Sequence, residues 1–367
     1  MKNKLLTSAL VSSMIGAGVT ASVAQTTVSG NLDLSYMAVA AKGTGSAGTP
    51  DSFRGFGKES QINIANKGKL NNGMDYAAGF SIEMDGPDTG GTGMFEENVY
   101  IDIISGNTTL TFGSDHIQNP DVNPTNIAGF GYVAVDSTRQ GVAITGLYPK
   151  GANSPYSAYG AGVMQKTGIG TFSALYVPSN ITNAGALNDI HNSSNASAAE
   201  PTATRGTSES AYELGFRGDL GVKGLTALAF INKSDRRDAV ATGSDEKGRR
   251  FAVTYVTGPF SIAADYVKTE GTTTGAAATA GQAGENVKGR SIGLGYAITP
   301  NLTASVTRAK ADTNASGRTT DEDTDILALG YSLGPIAISA QAKRVDNLAG
   351  NAGTDADVLA VRLSTRF

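Results

Sequence analysis

From residue 26 onward the chain alternates apolar and polar residues with a period of two, and its connections take turns between tight and long. That double rhythm constrains the fold more than any other feature. "VSGNLDLSYMAVA" sets Val28, Gly30, Leu32, Leu34 and Tyr36 against Ser29, Asn31, Asp33 and Ser35. "DYAAGFSIEMD" sets Tyr76, Ala78, Phe80, Ile82 and Met84 against a face that carries Asp75, Ser81 and Glu83, and "RSIGLGYAI" repeats the pattern. Such alternation marks β-strands, because successive side chains leave the strand on opposite faces. No helical period competes with it over any long stretch of the chain after residue 26.

The tight connections carry hairpin residues: Asn71-Asn72-Gly73, Ser105-Gly106-Asn107, Thr167-Gly168-Ile169-Gly170, Gly221-Val222-Lys223-Gly224, Gly258-Pro259, Thr299-Pro300-Asn301 and Gly334-Pro335. The long ones fall at about 40–55, 86–95, 117–155, 178–209, 235–248, 269–287, 311–324 and 346–356. Between them lie sixteen predicted strands, the first near 27–39 and the last at 357–367. An even strand count with short turns at one end and long loops at the other predicts an all-β, sixteen-stranded antiparallel transmembrane β-barrel. Its short turns are expected in the periplasm and its long loops outside.

A soluble sandwich would share the alternation, but it would have to bury the other face. That face carries Asp33, Asp75, Glu83, Asp102, Glu213, Arg217, Asp265, Lys343, Arg362 and Arg366. A dry core cannot hold so many ionised groups, each costing several kcal/mol or more if unpaired; a water-filled lumen can. The apolar face is then the one turned to lipid, where closure of the sheet pairs every backbone group. The last strand, "DVLAVRLSTRF", alternates to Phe367, so it is expected to pair with the first and close the barrel, with Phe367 at a membrane interface.

The N-terminus begins "MKNKLLTSALVSSMIGAGVTASVAQ": basic Lys2 and Lys4, an apolar stretch from Leu5 to Val19, then Ser22-Val23-Ala24. This reads as a secretory signal peptide over 1–24, leaving 25–367 as the barrel domain. Its removal takes the formal net charge from −4 to −6. The chain has no cysteine, which excludes disulfides and thiolate chemistry, and its low, acidic charge content excludes a nucleic-acid partner.

The signal segment, the strand rhythm, "ENVYIDIISGNTTLTFGSDH" leading into a long third loop, and the terminal "VRLSTRF" resemble the general, trimeric porins of Gram-negative proteobacteria. The resemblance implies a homotrimer in the cell outer membrane, in contact with lipopolysaccharide and outer-membrane lipid. It further implies passage of small hydrophilic solutes through a pore narrowed by an inward-folded third loop, with acidic loop residues facing a basic wall. In that loop, 117–155, the acidic candidates are Asp121 and Asp136, with Asp115 at the strand end before it. The wall candidates are Lys343, Arg362 and Arg217, with Arg366 nearer the periplasmic rim, alongside the inward carboxylates Asp33, Asp75, Glu83 and Asp102. The second strand offers only Lys58 and Lys67, at its ends, so a dense arginine wall is lacking and weak cation preference is expected. Phe367 is the expected signal to the barrel-assembly machinery.

Other constellations are thinner. His116 and His191 are the only histidines, and neither sits in a hydrolytic arrangement, so no enzyme activity is expected. "TTDEDTDIL" places Asp321, Glu322, Asp323 and Asp325 where alternate oxygens could hold Ca²⁺, without the glycine turn and closing Glu of an EF-hand loop; no other cofactor is expected. Two competing functions are a channel specific for a sugar, carboxylate or phosphate, which would need aromatic or arginine ladders, and a surface adhesin, which would need longer loops.

Overall fold

The computed structural model describes residues 10–11, 24–42, 52–84, 94–113, 160–177, 208–236, 246–272, 285–313 and 320–367. Among these, sixteen strands form one antiparallel ring: β1 (Gln25–Lys42), β2 (Phe53–Lys69), β3 (Asp75–Met84), β4 (Met94–Ser105), β5 (Thr108–Gly113), β6 (Gly160–Thr167), β7 (Gly170–Val177), β8 (Ser208–Gly218), β9 (Leu225–Arg236), β10 (Glu246–Thr257), β11 (Phe260–Thr272), β12 (Glu285–Thr299), β13 (Leu302–Thr313), β14 (Glu322–Leu333), β15 (Ile336–Asp346) and β16 (Asp355–Arg366). Each strand pairs with its neighbours in sequence, and β16 pairs with β1. A two-residue segment, Leu10–Val11, also lies against β1 at Thr26–Thr27.

The expected ring is therefore present, with differences at strand ends. β1 runs to Lys42 and β2 starts at Phe53, both beyond the expected limits toward the loop end. The tight connections are hairpins whose glycines take positive φ where a side chain would be strained: 83° at Gly73 and 58° at Gly334.

Closure rests on the last residue. Gly30 donates its N–H to the Phe367 carbonyl at 2.8 Å and accepts the Phe367 N–H at 3.0 Å. The Phe367 ring lies over Gly30: a Cβ there would stand 2.7 Å from the ring and 2.5 Å from the Gln61 carbonyl oxygen. Only glycine allows this approach of a side chain and two backbones.

The two faces differ as the alternation requires. Leu34, Ile101, Phe112, Leu214, Phe260, Leu294, Val306, Leu327 and Leu359 are exposed on the outer face. Asp33, Ser35, Ser81, Asp102, Glu213, Arg250 and Asp265 are buried on the inner one. A soluble monomer rarely shows so continuous an apolar exterior; a bilayer matches it.

Candidate functional site: the inner wall of the barrel

Register decides which inner charges meet. The two-residue turn between β10 and β11 sets Thr257 opposite Phe260, which brings Ala252 opposite Asp265 and leaves Arg250 diagonal to it. Diagonal inner-face neighbours are within reach of long side chains. Arg250 Nε donates to Asp265 Oδ1 at 2.9 Å and Nη2 donates to Oδ2 at 2.7 Å, with side-chain exposures of 0% and 4%. The same diagonal across the seam, where Ser35 faces Arg362 and Asp33 faces Ser364, joins Arg362 to Asp33 in an ion pair.

Directly opposed residues supply neutral partners. Thr111 donates its hydroxyl to Asp102 at 2.6 Å, and Asn232 donates to Glu213 at 3.2 Å. At the turn end, Lys69 donates to Asp75 at 2.7 Å, both side chains being more than half exposed. Glu83 faces inward opposite Gln61 and is half-buried. Arg217 is exposed and inward at the turn end, and Lys343 is inward and half-buried opposite Ile326 and Val358. Lys58 stands opposite Leu34 on the outer face, which removes it from the wall. Asp115, Asp121, Asp136, His116, His191 and the third loop lie outside the described residues.

Thr111→Val removes a bond to a charged acceptor in a buried setting. We expect a loss of about 1.5–3 kcal/mol in barrel stability, read by chemical unfolding, with Thr111→Ser largely sparing it.

Two features were not anticipated. Arg250 went unnoticed as a partner of Asp265, although the short Gly258-Pro259 turn already fixed the register that joins them. The inner wall is also not polar throughout. Near the loop end Met37, Val39, Val345, Val358 and Ala360 form a buried apolar patch. Leu348, from the 3-10 turn Leu348–Gly350 of the last connection, packs onto it after Asn347 takes a left-handed conformation.

The acidic run near β14 does not converge. Glu322 faces inward, whereas Asp323 and Asp325 face outward beside Arg308, and Asp321 meets Lys310 at 2.8 Å.

A closed ring with an apolar exterior and a charged, hydrogen-bonded interior defines a membrane-spanning β-barrel channel. The family model for Gram-negative porins matches residues 7–363, and the chain belongs to that family. No curated protein sequence matches the chain. Among solved structures it is similar to Salmonella typhi OmpF in complex with daunomycin, at 12% identity and TM-score 0.64, covering 94% of this chain and 98% of that one. It is likewise similar to the anion-selective porin from Comamonas acidovorans, at 13% identity and TM-score 0.63, covering 94% and 100%. A third likeness is to the trimer form of OmpT from Vibrio cholerae, at 12% identity and TM-score 0.53, covering 93% and 99%. At these identities the likeness is one of fold. The protein is an outer-membrane channel of the porin family, and family and fold point to transport rather than catalysis.

Proposed function

We propose that the barrel lets ions and small hydrophilic solutes diffuse passively across the outer membrane, with weak preference for cations. The observation that carries the reading is the two-faced wall: hydrocarbon-compatible side chains outside, ionic and amide groups inside. Cation preference is supported by the inward carboxylates Glu83, Asp102 and Glu213, while Arg250 and Arg362 each form a pair with an inward carboxylate that adds no net charge to the wall. The acidic chain as a whole works in the same direction. The likeness to an anion-selective porin concerns the fold and does not carry selectivity with it.

Single-channel recording in a planar bilayer tests this. Large, ohmic steps that no sugar, carboxylate or phosphate blocks are expected, and a salt gradient should give a reversal potential of the sign set by faster cations. A solute-blocked conductance would favour a specific channel instead, and chloride preference would reject the selectivity.

Three further roles belong to the same reading. Residues 1–24 act as the export signal, and Phe367 at the seam marks the last strand for the assembly machinery. The protein works as a homotrimer, a state in which OmpT of Vibrio cholerae has been solved. A concavity of about 1250 Å³ supports a packing face on β1 and β11–β16, where Ala38, Ala40 and Ala342 lie among Val306, Leu327 and Leu359. Cross-linking a detergent-solubilised sample should yield three-subunit species.

A further inference from the structure

Near the loop end the inner face of β15, β16 and β1 turns apolar, where a wall bathed in electrolyte would be polar. Register puts these residues side by side. Val345 faces Ala356 across β15 and β16, while Val358 faces Val39 and Ala360 faces Met37 across the seam. None of the six is more than 7% exposed. Water is kept off this part of the wall, as apolar side chains require when an apolar cover is at hand.

Leu348 supplies part of that cover. It is 4% exposed and belongs to the same cluster. Because the patch lies on the inner face, the chain that follows Asp346 has to bend over the rim and enter the mouth to bring Leu348 onto it. Asn347 starts the bend in the left-handed region, at φ 55° and ψ 49°; asparagine enters that region more readily than most residues. Its N–H donates to the Asp355 carboxylate at 3.1 Å, its side-chain amide donates to the Asp321 carbonyl at 3.3 Å, and its side-chain oxygen accepts the Gly353 N–H at 3.2 Å. The Leu348 N–H donates to the Thr354 carbonyl at 2.6 Å and closes the base of the loop. The connection is thus tied to the chain entering β14 and to the start of β16, while its leucine leans on the wall beside the seam.

The chemistry of the connection is that of a spacer. Residues 347–354, "NLAGNAGT", carry no ionisable side chain. Leu348 and Gly350 are buried, whereas Ala352 and Gly353 at the tip are exposed. Such a tip obstructs by volume and brings no charge with it.

We propose that Leu348 anchors the last connection inside the outer mouth, and that this neutral wedge sets the largest solute the pore admits. Its effect falls on solute size and leaves ion preference alone. The inference rests on the diffusion-pore reading and is independent of the third loop.

The test uses the refolded full barrel in planar bilayers and in liposomes bathed in neutral oligosaccharides of increasing length. Leu348→Ser should free the wedge. Single-channel conductance then rises, oligosaccharides too large for the wild type enter several-fold faster, and the reversal potential in a salt gradient stays where it was. Leu348→Met keeps an apolar anchor and should restore the wild-type size limit. A second measurement works on a barrel already folded. The chain has no cysteine, so Ala352→Cys places a single thiol at the tip. A bulky neutral thiol reagent added on the loop side should reduce the current in this variant and barely change it in Leu348→Ser/Ala352→Cys. Wild-type conductance and size limit in a folded Leu348→Ser would overturn the inference. So would a current in Ala352→Cys that the reagent leaves untouched, or an equal reduction with and without the anchor. If Leu348→Ser does not refold, the reagent on Ala352→Cys decides alone. Absence of conductance in the wild type would overturn the pore reading itself, and the wedge with it.

Discussion

Asp265→Asn is expected to destabilise the barrel by about 3–5 kcal/mol, because it removes the carboxylate charge that the Arg250 guanidinium meets where its side chain has no solvent exposure. The loss should appear as a lower midpoint in thermal unfolding and as earlier disappearance of the compact band on unheated gels. Burying an ion pair costs desolvation that the pair's attraction only roughly offsets, so removing both charges is a different experiment from removing one. Arg250→Met/Asp265→Leu should therefore recover most of the stability that Asp265→Asn loses. If single and double variants are equally unstable, the pair is not what holds β10 to β11. The double variant also releases no net charge into the lumen, so its reversal potential should stay close to that of the wild type.

Gly30→Val should be nearly as damaging, and for a steric reason. The added Cβ would meet the Gln61 carbonyl oxygen at 2.5 Å, and that oxygen belongs to the ladder between β1 and β2. It cannot retreat without opening the sheet. Overpacking of this kind costs about 1–3 kcal/mol and occasionally more. Here the strain falls on β1, the strand that pairs with β2 on one side and closes the ring with β16 on the other. The expected result is a drop in the yield of heat-resistant barrel on refolding into detergent. Phe367→Ala should lower the yield separately, by baring the glycine. Combining the two should relieve only part of the strain, since the clash with the backbone oxygen survives loss of the ring. Normal refolding of Gly30→Val would show that the seam tolerates a wider spacing than the structure gives it.

The inward or outward sense of each side chain was legible from parity alone. Asp33, Asp102, Glu213 and Asp265 all face inward, as the alternation requires. Parity says nothing about height or partner, however, and those need register. For β10 and β11 a two-residue turn supplies it, and counting back from Gly258-Pro259 would have led to Arg250. For Asp33 and Arg362 no turn exists, because the chain does not connect β16 to β1. Their meeting depends on how the ring closes, which no local stretch encodes. Lys58 shows a second limit: it looked like a wall residue because it is charged, yet it shares the outer face with Leu34 and Phe56. Near the loop end the outer face leaves the hydrocarbon, so charge there ceases to report direction. The same change of solvent hides the outward rows of Arg308, Asp325 and Arg344 from a reading that expects every outward residue to be apolar.

The contact of Arg362 with Asp33 spans 329 positions along the chain. Strands that neighbour each other in sequence can zip in order, but this pair cannot form until nearly all of the polypeptide has been delivered. Until then β1 keeps one edge bare and open to any other extended segment. A cell that makes this protein must therefore shelter its first strand for as long as the last is still arriving, and the slowest step of maturation should be the joining of the two ends.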